Sequence, residues 1–236
     1  LLLPLLPALL LYPPRSVALD GPGLTNGVRA VRSILDAQGR QEEEMRILVR
    51  RYGWTPDDCT EILLALEADL RPRRTDYHSS FCHEVTFSLM ADFASTNALP
   101  TLAEMLWDRT LPEHFGPRTA YVRISRCAPQ FMEPLVRRID ANVVSNDLFA
   151  YYCYEDVRWT LQRWPYPPEE RQQLVDFLVR RVGEDARNAG MLDDILCKEV
   201  PAWRESPQRL ERAQSLLRLH PDAPARSAMA GITNRL

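Results

Sequence analysis

Apolar residues recur at helical spacing along nearly the whole chain. Cys59, Ile62, Leu63, Leu66 and Leu70 fall at i, i+3, i+4, i+7 and i+11, one stripe of an amphipathic helix. Its start is marked by Thr55 as N-cap, Pro56 at the first helical position, and Asp57 and Asp58 on the positive end of the dipole. Ser206-Pro207 opens a helix carrying Leu210, Ala213 and Leu217 in the same way. Pro167-Pro168-Glu169-Glu170 opens another, with Leu174, Phe177, Leu178 and Val182 as its apolar face. Phe81, Val85, Leu89 and Phe93 step by fours along a further helix, with Met90 on a neighbouring row. The pattern predicts helices over 26–38, 41–52, 56–70, 79–95, 100–109, 117–127, 131–141, 147–163, 168–182, 189–200 and 207–219. No alternating β pattern competes with them, and nine glycines leave little material for hairpins. The fold class read from the chain is all-α.

An internal echo organises these helices. Leu48-Val49-Arg50-Arg51, Leu135-Val136-Arg137-Arg138 and Leu178-Val179-Arg180-Arg181 each end a predicted helix, with starts 87 and then 43 residues apart. Cations there complement the negative dipole end, with Gly53 and Gly183 as the C-cap residues; a basic ridge facing an acidic partner is the alternative use of the same pairs. Ala98-Leu99-Pro100-Thr101-Leu102, Leu106-Trp107-Asp108 and Tyr121-Val122-Arg123-Ile124 together resemble a HEAT unit, and Glu155-Asp156-Val157-Arg158 resembles its second-helix portion. The loop from Arg109 to Pro117 is longer than that family's turn, and the other units lack the Asp. The resemblance implies an α-α superhelix of stacked antiparallel helix pairs over 19–236, because one such pair cannot bury its apolar face alone.

The N-terminus changes the expected address. Leu1 to Leu11 read LLLPLLPALLL, too short for a bilayer span of about 20 residues. Ser16-Val17-Ala18 follows, small residues at the positions a signal peptidase reads, so 1–18 is expected to be a signal segment and the protein secreted or periplasmic. A net charge of −3 argues against a dedicated nucleic-acid binder. Of the 29 Lys and Arg residues only Lys198 is lysine, so nearly every cation is a planar fork suited to carboxylates and aromatic faces. Cys59, Cys82, Cys127, Cys153 and Cys197 have no metal-type spacing. Buried thiols or one or two disulfides are the open readings.

Visible chemistry is sparse. The best constellation of candidate metal ligands runs from Asp76 to Glu84 and includes His78, His83 and Glu84, but a five-residue step between the histidines is poor for one helix face. The alternative has Ser79 or Ser80 capping a helix with His83 on its surface. No nucleophile elbow, P-loop or dinucleotide fingerprint is present, no cofactor is implied, and Ser125-Arg126-Cys127 has no adjacent base to activate it. Aromatics are denser: seven fall between Phe149 and Tyr166. Tyr151, Tyr152 and Tyr154 cannot share one helix face, so some leave the core stripe. Tyr151, Tyr154, Trp159, Arg163 and Trp164, with Arg137, Arg138, Arg180 and Arg181, are therefore the candidate binding residues. The expected function is a non-catalytic scaffold for a protein or peptide. A metal-dependent hydrolase using His78, His83 and Glu84 is one alternative; a HEAT-type DNA glycosylase is the other.

Overall fold

A computed structural model describes residues 19–37, 39–73, 77–108, 116–141, 148–163, 166–220 and 230–232, with backbone alone at 73 and 77–79. The expected signal segment and Trp164 lie outside the described residues. The described chain is all-helical with no strand. It divides into two compact units, 1–97 and 98–236.

The first unit contains α1 (Gly21–Asp36), α2 (Gln41–Tyr52), α3 (Pro56–Leu70) and α4 (Tyr77–Phe93). α1 packs on α2, α3 and α4, and α4 also packs on α2 and α3. Thr55 and Asp58 form a reciprocal capping box at the start of α3, which fixes the boundary the sequence predicts. α3 and α4 run antiparallel: Thr60, early in α3, accepts from the Ser95 N–H just past α4 at 2.9 Å, while Glu67, late in α3, meets His83, early in α4. α1 comes close to α3 at Gly27, where an added Cβ would lie 2.6 Å from Ile62 Cδ1. Gly53 ends α2 with φ +65°, a conformation open to glycine at no steric cost.

The deep face of α4 departs from the predicted stripe. Cys82, His83, Thr86, Phe87, Leu89 and Met90 are buried, whereas Phe81, Val85 and Phe93 are half-buried. The helix carries apolar residues on every side, so spacing alone does not select its inner face.

The second unit contains α5 (Leu99–Met105), α6 (Pro117–Ser125), α7 (Met132–Asp140), α8 (Phe149–Gln162), α9 (Pro168–Val182), α10 (Ala189–Glu199) and α11 (Pro207–Leu219). α5 packs on α6, α6 on α8, α8 on α9 and α10, α9 on α10, and α11 on α9. A 3₁₀ segment, Pro201–Glu205, bridges α10 and α11 and buries Trp203. Gly183 caps α9 in the right-handed region, so this position makes no use of glycine's conformational freedom.

All five cysteines are free thiols; four are buried, and Cys197 is half-buried. Burial pushes the Cys59 thiol up to about 12 and lifts Cys127 and Cys153 as well. Of the two readings of the cysteines, the buried-thiol one matches this packing.

Candidate functional site

α8 has two contrasting faces. Phe149, Ala150, Cys153, Tyr154, Val157, Thr160 and Leu161 are buried, following the 3.6-residue period. The opposite face exposes Leu148 (49%), Tyr151 (45%) and Trp159 (64%), with half-buried Glu155 between the two aromatics. Residues 148, 151, 155, 159 and 162 are spaced by three or four, so they lie along one ridge.

Charge networks hold this ridge in place. Tyr151 contacts Tyr152 edge-on at 5.3 Å, and the Arg118 guanidinium lies over the Tyr152 ring at 5.2 Å. Arg118 Nε donates to Asp156 at 2.6 Å, and the Thr119 hydroxyl donates to the same oxygen at 3.1 Å. Burial raises the Asp156 carboxyl above its ordinary value, and Arg118 and Thr119 pull against that rise. On the other flank Arg158 Nε donates to Glu199 at 3.1 Å, Arg158 Nη1 reaches Glu155 at 3.5 Å, and Gln162 donates to Glu199 at 2.7 Å.

The arginine pairs divide between surface and interior. Arg137 is exposed and lies 5.7 Å from the ring centroid of Trp107, itself 42% exposed. Arg138 is buried: its Nε donates to the Leu106 carbonyl at 3.0 Å and its guanidinium covers Phe149 at 4.4 Å. Arg180 is half-buried beside the Phe177 ring, whereas Arg181 is 1% exposed. Arg181 Nη2 donates to Asp140 at 2.5 Å and to Asp185 at 3.4 Å, and its Nε donates to the Tyr154 hydroxyl at 3.1 Å. That hydroxyl in turn donates to Asp185 at 2.6 Å. Burial lifts the Tyr154 phenol well above its usual range. For Arg181 burial works against the charge, but Tyr154 and Asp140 outweigh it and raise the guanidinium further.

Among the candidate binding residues, then, Tyr151, Trp159, Arg137 and Arg163 are exposed and Arg180 is partly so. Tyr154, Arg138 and Arg181 are interior links between elements, with their polar atoms engaged inside the unit. In the first copy of the echo both Arg50 and Arg51 are exposed, so the buried second arginine belongs to the copies on α7 and α9.

His83 is 1% exposed, and its Nε2 lies 2.9 Å from Glu67 Oε1. This corrects the expectation of a surface histidine; α4 also starts at Tyr77, upstream of both candidate capping serines. Arg71 completes the cluster with two bonds to Glu67, at 2.9 and 2.7 Å. Glu84 is half-buried, and the His78 side chain lies outside the described residues. Among the described residues no group of three His, Cys, Asp or Glu is arranged to hold a metal. Burial pushes the Glu67 carboxyl up, but hydrogen bonds from His83 and Arg71 win and hold it below the ordinary 4.5. A depressed folded-state value contributes stability that is present above the unfolded value and lost as pH falls through the folded one. The wild type is expected to lose this stability as pH falls below the ordinary 4.5, and Glu67→Gln to respond more weakly there. Urea midpoints measured as the pH is lowered check this, and equal pH dependence of the two proteins would refute it.

The chain also contains a buried ion pair that its local patterns do not announce. Asp193 on α10 (0% exposed) accepts from Arg209 on α11 (1% exposed) at 2.7 and 2.8 Å, and from the Trp203 indole at 2.9 Å. Beside it lies a cavity of about 280 Å³ lined by Asp194, Cys197, Arg204 and Arg209. The Ser125 hydroxyl donates to the Val122 carbonyl and accepts from the Cys127 N–H, a turn-stabilising arrangement.

The chain matches no family model, no curated protein and no solved structure. No described helix is long and apolar enough to cross a membrane.

Proposed function

We propose that the protein is an exported, non-catalytic helical scaffold that binds a protein or peptide through the outer face of α8. The observation carrying this reading is the alignment of Leu148, Tyr151 and Trp159 on one exposed ridge. Large aromatics left in water together, on a helix whose other face is fully packed, mark interaction surfaces. Tyr and Trp are also the residues that most often anchor them. Repeat-like stacking is proposed for the second unit alone. It is supported by contacts between alternate helices, α6 with α8, α8 with α10 and α9 with α11.

Export is supported by the Leu1–Leu11 run and the Ser16-Val17-Ala18 tripeptide. Asp20, which caps α1 by accepting from the Gly23 N–H at 2.7 Å, lies two residues beyond Ala18 and stays with the mature chain. N-terminal sequencing of exported material is expected to begin at Leu19.

The binding reading is tested by panning a displayed peptide library on the wild type, with a Tyr151→Ser/Trp159→Ser variant as counter-selection. Enriched peptides are expected to shift the tryptophan emission of the wild type to the blue, and that of the variant lacking Trp159 not at all. They are expected to bind the variant about 30-fold more weakly, the usual effect of removing a hot-spot aromatic. Peptides that bind both proteins equally, or no enrichment, would overturn it.

A further inference from the structure

We infer that the cavity beside the Asp193–Arg209 pair is a modification site, in which Cys197 exchanges with a small carboxylate-bearing disulfide and keeps half of it as a mixed disulfide. The other four cysteines are buried, whereas half-buried Cys197 forms part of the cavity wall together with Asp194, Arg204 and Arg209. Its sulfur lies 4.0 Å from Asp193 Oδ2, against the buried ion pair rather than out in solvent. The wall is assembled from α10, the 3₁₀ segment and α11. At about 280 Å³ the space is at the small end of ligand pockets, room for a small molecule and too little for a folded partner.

The charges around the cavity leave one cation over. Asp193 is matched by Arg209, at 2.7 and 2.8 Å, and Asp194 by Lys198 at 2.6 Å. Arg204 is exposed and forms no ion pair among the described residues. Its Nε donates to the Cys197 carbonyl at 3.0 Å, which ties this guanidinium to the residue carrying the thiol. A disulfide bearing carboxylates is therefore drawn toward the sulfur, and one bearing amines is repelled.

The exchange needs no further reactant. Cys197 Sγ gives its proton to water and attacks one sulfur of the incoming disulfide as the thiolate. A new S–S bond forms as the old one breaks, and the departing thiolate takes up a proton. The incoming disulfide is itself the oxidant, and a small thiol added in excess reverses the step.

Oxidised glutathione and cystamine are the acidic and basic probes, with intact-protein mass spectrometry on the full chain reading the adducts. Oxidised glutathione is expected to add one glutathionyl group, removed by dithiothreitol, and Cys197→Ser is expected to add none in the same time. With each rate divided by that of the same probe toward a free small thiol, the wild type is expected to prefer oxidised glutathione about fivefold, the size expected for one nearby charge in water. That preference runs against the net charge of −3, which by itself favours the basic probe. Arg204→Gln is expected to erase it while leaving the urea midpoint unchanged. No adduct at Cys197, a preference for cystamine, or a preference that survives Arg204→Gln overturns the site.

Discussion

Asp193→Asn is expected to destabilise the second unit by about 3–5 kcal/mol, the cost of removing one charge from a fully buried pair. The substitution barely changes shape, yet it removes the carboxylate charge that accepts from the Arg209 guanidinium at 2.7 and 2.8 Å, at a site 1% exposed. Such a loss is a large part of the 5–15 kcal/mol that holds a typical domain folded. Trp203 is 4% exposed and bonded to the same carboxylate, so the substitution weakens its anchoring as well. The paired substitution Asp193→Leu/Arg209→Met is expected to recover much of the loss, because it removes both charges together. Urea unfolding followed by helical circular dichroism measures all three proteins. An Asp193→Asn variant within about 0.5 kcal/mol of wild type would show that the pair contributes little.

The second large effect separates neighbours in sequence. Arg181→Met is expected to cost about 3–4 kcal/mol, whereas Arg180→Ala is expected to stay within about 1 kcal/mol. Arg181 joins the end of α7 through Asp140, α8 through Tyr154 and the turn after α9 through Asp185. Arg180 lies beside the Phe177 ring, 5.8 Å from its centroid, in partial contact with water. Lysine at position 181 is expected to rescue poorly, because a single ammonium cannot reproduce a fork that engages three elements. Tyr154→Phe alone removes two hydrogen bonds at a buried hydroxyl and is expected to cost about 1–3 kcal/mol. Combined with Arg181→Met it should cost less than the sum, since the two side chains share Asp185. Equal sensitivity at positions 180 and 181 would contradict this division of labour.

Local chemistry made the helices legible. The Thr55-Pro56-Asp57-Asp58 start, the Pro167-Pro168 start and the Ser206-Pro207 start place α3, α9 and α11 at the predicted bounds, because caps are written in neighbouring residues. The start of α1 at Gly21 precedes the predicted 26, since Asp20 and Pro22 open a helix through a glycine-bearing turn that lowers propensity without preventing it. Long-range polar partnerships were not legible. Asp193 and Arg209 stand 16 residues apart, and Arg181 and Asp140 stand 41 apart. No periodicity distinguishes these charges from solvated ones. The same limit applies at His83, whose environment depends on Glu67 in the preceding helix. Of the candidate binding residues, the aromatic cluster was visible by density alone. Which rings face outward depended on which side of α8 its neighbours cover.

The sequestered sulfhydryls make the molecule its own recorder. Cys59, Cys82, Cys127 and Cys153 sit beneath packed helices, and burial suppresses thiolate formation at Cys59, Cys127 and Cys153. An alkylating reagent can stamp each of them only when its helix lets go, while half-buried Cys197 takes label on a shorter clock. The order of labelling thus writes out, residue by residue, the sequence in which the two units open.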